Sequence, residues 1–137
     1  DRLKYLFDTD NINYIKTKQD IIHLIAEANE LNRKINAVGY ATSIPSNHNN
    51  NNYEEKNNSD PSPLIAAMIP NHLRTQSNDV KLEYNEDLSK VTIPGYPLMF
   101  VEDIGNNVIR IGGATPVWLY REWCHKRMEA NKPIPSE

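Results

Sequence analysis

The chain has 137 residues, a net charge of −3, 39 % hydrophobic residues and 24 % charged residues. That length suits one domain with one modest core. The acidic balance excludes a globally basic surface of the kind that binds nucleic acid by neutralising phosphates, and the one cysteine, Cys124, excludes an intrachain disulfide or a multi-cysteine zinc cluster.

The start, Asp1-Arg2-Leu3-Lys4, has no signal-peptide character and no initiator Met, which reads as a piece of a longer protein. No apolar run approaches the roughly 20 residues that span a bilayer. Together with the lone thiol, these features lead us to expect an intracellular protein, in the nucleus ahead of the cytoplasm. Residues 1–16 mix Tyr5, Phe7 and Tyr14 with Asp and Asn and are expected to form an N-terminal arm, in which Leu3, Leu6 and Phe7 make one helical turn or pack as ordered chain. A helix is expected over 17–38. Thr17 and Asp20 make a capping-box start. Ile21, Leu24, Ala28, Leu31, Ile35 and Val38 then recur at spacings of three and four, a heptad seam, and Gly39 supplies the stop.

Residues 45–62 include the Asn run at 49–52 and hold little that repays the entropy of ordering, so a disordered Asn-rich loop is expected there. Ser62 and Pro63 then look like the start of a short helix through Ile69, apolar all round and therefore buried. Four strands follow in the reading: Val80–Tyr84, Lys90–Ile93, Leu98–Val101 and Val108–Ile111. The first two alternate apolar and polar, and the third is a continuous apolar run expected to be buried on both faces. Pro94-Gly95-Tyr96-Pro97 and Gly105-Asn106-Asn107 punctuate them. The last helix is expected over 115–130, with Thr115 as cap and Pro116 at its first position. Val117, Tyr120, Trp123 and Cys124 should share its apolar face.

The expected fold is α+β: an N-terminal amphipathic helix, the Asn-rich loop, a short helix, a four-stranded antiparallel meander, and a C-terminal helix packed on the sheet. It is read as a single domain over 1–137, with the sheet-plus-helix body at 63–132. A helix that leads into a four-stranded meander and ends in a helix resembles the RWD-type interaction fold, and the Tyr96-Pro97 pair is similar to that family's Tyr-Pro turn. Val101 stands where that family has a second proline, and the turn precedes the third strand, so the resemblance implies an architecture and no site residues.

Function is expected in a non-catalytic interaction or scaffolding module of a eukaryotic regulatory complex, whose partner is another protein chain. Trp118, Arg121 and His125 on the outward face of the last helix combine an indole with a cation and an imidazole, the chemistry of an interface hot spot. Leu24, Leu31 and Ile35 join them if the heptad seam pairs with a partner helix. The alternative is a winged-helix DNA-binding module that uses His72, Arg74, Lys126 and Arg127 on phosphates. No catalytic motif, cofactor or metal is expected. His23, His48, His72 and His125 are scattered, and Gly112-Gly113 lacks the patterns whose amides cradle phosphate.

Overall fold

The computed structural model describes residues 2–40 and 61–135. The expected Asn-rich loop falls mainly on residues outside that set. The chain divides at Asn71/His72 into two compact units.

The first unit holds α1 (Arg2–Leu6), a 3-10 turn (Thr9–Asn11), β1 (Ile12–Tyr14), α2 (Lys18–Leu31), β2 (Ile35–Val38) and β3 (Leu64–Ala67). Within the expected N-terminal arm the helical-turn alternative is the one present: Leu3 and Leu6 of α1 are buried against Ala67, with Phe7, Ile12 and Val38 around them. Thr17 and Asp20 form the expected capping box, the Thr17 hydroxyl accepting from the Asp20 amide and the Asp20 carboxylate from the Thr17 amide. Those contacts to the Thr17 and Lys16 amides hold the Asp20 carboxyl below its ordinary range.

α2 stops at Leu31, not at Val38. Asn32 takes the left-handed conformation (φ 53°), and the Arg33 amide donates back to the Ala28 carbonyl at 2.9 Å, closing the helix. Ile35 and Val38 continue the heptad spacing in sequence but lie on β2. The expected short helix at 62–69 is also corrected: Leu64–Ala67 is a strand, buried at every position. β3 is the central strand of a three-stranded sheet, order β1-β3-β2, parallel to both neighbours, with Ile12 opposite Ile65 and Ile35 opposite Leu64. A central parallel strand is covered on both faces, so its sequence loses the alternation that would identify it. Arg33 braces this unit by donating to the Ser62 carbonyl and the Asn11 side-chain oxygen, each at 2.7 Å.

The second unit holds β4 (Glu83–Tyr84), β5 (Lys90–Ile93), β6 (Tyr96–Gly105), β7 (Val108–Ile111) and α3 (Val117–Glu129). The four strands form the expected antiparallel meander, order β4-β5-β6-β7. β4 is shorter than the expected Val80–Tyr84, and β6 is longer than Leu98–Val101. Only Pro94-Gly95 turns, with Gly95 at φ 86°, as a Pro-Gly type II turn requires, so Tyr96 and Pro97 open β6. β6 alternates: Met99 and Val101 are buried while Leu98 and Phe100 are half-buried, so it is not a doubly buried strand. Asn106 and Asn107, both at positive φ, make the two-residue turn into β7.

Pro116 is the cap residue of α3 and makes no side-chain cap bond. Thr115 is used elsewhere: its hydroxyl accepts from the Phe100 amide and donates to the Phe100 carbonyl, both at 3.1 Å. Leu119 and Trp123 are fully buried, while Val117 is exposed and leaves the expected apolar face. The Trp123 indole N–H donates to the Leu88 carbonyl at 3.0 Å.

The Tyr84 hydroxyl is buried and meets no hydrogen-bond partner among the described residues. Burial, with Glu122 and Glu129 nearby, pushes its pKa up to about 12. Removing an unsatisfied buried hydroxyl removes its desolvation cost, so Tyr84→Phe is expected to be neutral or to stabilise by about 1 kcal/mol. The wild-type pKa is raised above the unfolded value, so its stability contribution is intact below pH 10 and is lost as pH rises from 10 to 12. Urea unfolding of both proteins across that window checks this: the wild type should lose stability relative to Tyr84→Phe.

Candidate functional site

Trp118 is half-buried, and its indole N–H donates to the Leu73 carbonyl at 2.7 Å. This corrects the expectation of an outward indole. Trp118→Ala should cost about 2 kcal/mol, and Trp118→Phe, which keeps a ring but loses the bond, about 1 kcal/mol; thermal unfolding measures both. Arg121 and His125 are exposed, with His125 3.7 Å from Glu129 one turn on. In the first unit Leu24 is buried, Leu31 is exposed and Ile35 is half-buried on β2, so these three do not form one outward helix seam. Exposed apolar residues of α2 instead include Ile22 and Ile25.

The phosphate-contacting set fares differently. His72, Arg74 and Lys126 are exposed, but Arg127 is buried at 5 % exposure. Its guanidinium donates to the Leu88 carbonyl at 3.0 Å and to the Pro133 carbonyl at 2.9 Å, and lies 3.4 Å from the Asp103 carboxylate. Those partners occupy the group, and it cannot reach a phosphate. The expected winged-helix arrangement keeps its first helix but loses the short one: 64–67 is a strand, and His72 lies on a single 3-10 turn, Asn71–Leu73.

Among the described residues, two places could receive a ligand besides a cleft of about 330 Å³ along β1 and α2. One is a groove of about 460 Å³ in the second unit, whose lining includes the apolar Leu73, Val80, Ile93 and Pro94, the charged Asp79 and Lys81, and the His72–Tyr96 pair. His72 Nε2 and the Tyr96 hydroxyl are 3.1 Å apart, and the rings meet edge-on at 6.0 Å. Sequence gave no hint of that pair, because the partners are 24 residues apart. Pro94-Gly95 brings them together by starting β6 at Tyr96.

The other place is the carboxyl edge of the parallel sheet, where β1, β3 and β2 end at Tyr14, Ala67 and Val38. The three exits differ in character. After β1 the chain enters α2, whose first turn is already capped by its own Thr17 and Asp20. After β3 it runs into Met68-Ile69-Pro70, apolar, with the Met68 amide donating to the Val38 carbonyl at 2.9 Å. After β2 it passes through Gly39, where an added Cβ would meet Ile69 only at an ordinary 3.7 Å.

No protein-family profile, curated protein or solved structure matches the chain. Among the described residues, no three His, Cys, Asp or Glu side chains are grouped to hold a metal ion, and no helix is long and apolar enough to cross a membrane. Cys124 is a half-buried free thiol on α3. A hydrogen bond with its side chain, followed by burial, raises the pKa of the Tyr120 phenol.

Proposed function

We propose that this chain is a binding module for a small phosphorylated ligand of the nucleotide class, seated beyond the carboxyl ends of β1, β3 and β2. One observation carries the reading: the three strands are all parallel, and the chain crosses from β1 through α2 to β2 on the far side of β3. In open parallel sheets ligands bind outside the carboxyl ends of the strands, where the connecting loops supply amides and small side chains. α2's first turn is filled by Asp20, and the exit from β3 is apolar. The exit from β2 is the polar one. There the described chain passes Gly39 and Tyr40, and the sequence continues Ala41-Thr42-Ser43, two of which carry hydroxyls of the kind that donates to phosphate oxygens. Ala41, Thr42 and Ser43 lie outside the described residues.

The test is a thermal-shift and calorimetric titration of the chain with ADP, adenosine and the adenine dinucleotides NAD and FAD. A phosphorylated ligand at about a hundredfold its Kd should stabilise by about 2.7 kcal/mol. Adenosine should bind at least tenfold more weakly than ADP, and Thr42→Val with Ser43→Ala should remove that difference. Binding of none of the phosphorylated compounds at millimolar concentration would sink the reading.

A second reading retains the interaction module. Ile104, Val108 and Ile111 are exposed at or beside β7, an edge strand of the antiparallel sheet. An apolar edge with unpaired backbone groups is a template for a partner strand. Capture of a partner protein that is lost on Val108→Lys, with Arg121 and His125 as secondary contacts, would favour it.

A further inference from the structure

We infer that the groove over Leu73, Val80 and Ile93 is a binding site for a small zwitterion with an apolar side chain, namely a free aliphatic or aromatic amino acid. Its volume of about 460 Å³ falls in the range of small-molecule sites. Leu73 and Ile93 are buried, at 2 % and 4 % exposure, and with Val80 and Pro94 they make an apolar floor. Opposite charges stand on either side of Val80. Asp79 and Lys81 both line the groove, both are exposed, and neither forms an ion pair among the described residues. Two unpaired charges of opposite sign over one apolar floor match a ligand that carries an ammonium and a carboxylate on one carbon. Asp79 receives the ammonium, Lys81 the carboxylate, and the side chain lies on Leu73 and Ile93.

Two parts of the lining are held in place by hydrogen bonds. The Tyr96 hydroxyl and His72 Nε2 lie 3.1 Å apart, and the Asp79 amide donates to the Ser77 hydroxyl at 3.3 Å, fixing the turn that presents the acid. A ligand of one sign only would meet one attracting and one repelling group. Such a ligand is therefore disfavoured against the zwitterion, and specificity comes from that difference. Because both charges sit in water, each contributes modestly, and affinity in the millimolar range is expected.

The experiment is a two-dimensional amide NMR titration of the full chain with L-phenylalanine, N-acetyl-phenylalanine, phenylalanine amide and glycine. Saturable shifts at Val80, Lys81 and Ile93 are expected for phenylalanine, with glycine lacking them. Removing the ligand's ammonium or its carboxylate should each weaken binding roughly fivefold. Asp79→Asn should lower phenylalanine affinity by a similar factor while leaving N-acetyl-phenylalanine, which the acid repels, unchanged or slightly tighter, and Lys81→Met should do the same against phenylalanine amide. Both positions are exposed, and unchanged amide spectra elsewhere will show that the variants fold. The inference is overturned by the absence of saturable shifts at tens of millimolar phenylalanine. It is equally overturned if either variant weakens the zwitterion and its blocked form alike.

Discussion

Arg127→Ala should lower the unfolding free energy of the second unit by about 3 kcal/mol, at the low end of the cost of stripping one partner from a buried ion pair. Arg127 is 5 % exposed, and its guanidinium bridges three parts of the chain: the Leu88 carbonyl in the β4–β5 turn, Asp103 on β6 and the Pro133 carbonyl beyond α3. It also stacks over the Trp123 ring at 4.9 Å. Truncation leaves the Pro133 carbonyl and the Asp103 carboxylate facing a void, while the Leu88 carbonyl keeps the Trp123 indole. Asp103 keeps 21 % side-chain exposure, so water recovers part of its loss, which is why the low end applies. Arg127→Lys should rescue less than half, because an ammonium lacks the planar fork that reaches several acceptors at once. Urea unfolding followed by tryptophan fluorescence reads this unit alone, since both tryptophans, Trp118 and Trp123, lie in it. The midpoint should fall while the slope with urea stays constant.

Gly112→Ala should be similarly damaging, at about 3 kcal/mol. A methyl group there would stand 2.2 Å from the Leu98 carbonyl oxygen and 2.8 Å from the Phe100 ring. The oxygen is backbone and is pinned: it accepts from the Ala114 amide at 3.1 Å, while the Gly112 amide donates to the Phe100 carbonyl at 2.9 Å. Relief requires the chain after β7 to part from β6, breaking both bonds. Gly113 is the control. A methyl group there meets nothing within 4 Å, so Gly113→Ala should change stability by less than about 0.5 kcal/mol. Thermal unfolding of the two variants side by side measures the contrast.

What was legible in the sequence followed local chemistry. Thr17 and Asp20 announced the start of α2, and the antiparallel meander and last helix were read correctly from alternation and turn residues. The end of α2 is not legible, because Ile35 and Val38 extend the heptad spacing by coincidence, while the deciding residue, Asn32, acts through a left-handed backbone that composition does not reveal. β3 was missed because a doubly buried strand and a buried helical turn have the same apolar run, and Ser62-Pro63 favoured the helix. Local reading makes Thr115 a helix cap, Trp118 an outward indole and Arg127 a phosphate contact. Each is instead used in a contact across the chain: Thr115 with Phe100, Trp118 with Leu73, and Arg127 with Leu88 and Asp103. The lining of the groove was invisible for the same reason, since Asp79 and Lys81 are ordinary surface residues until Leu73 and Ile93 lie beneath them.

Leu88 sits at φ 61°, a backbone conformation costly for a branched side chain, and its carbonyl receives both the Trp123 indole and the Arg127 guanidinium. Neither donor is local: they lie 35 and 39 residues away. The β4–β5 turn therefore cannot reach its final form before the last helix docks, and in the native state it cannot open alone. Amide hydrogens of Leu88 and Lys90, though at a surface hairpin tip, should exchange with solvent at the slow rate of the helix that clamps them.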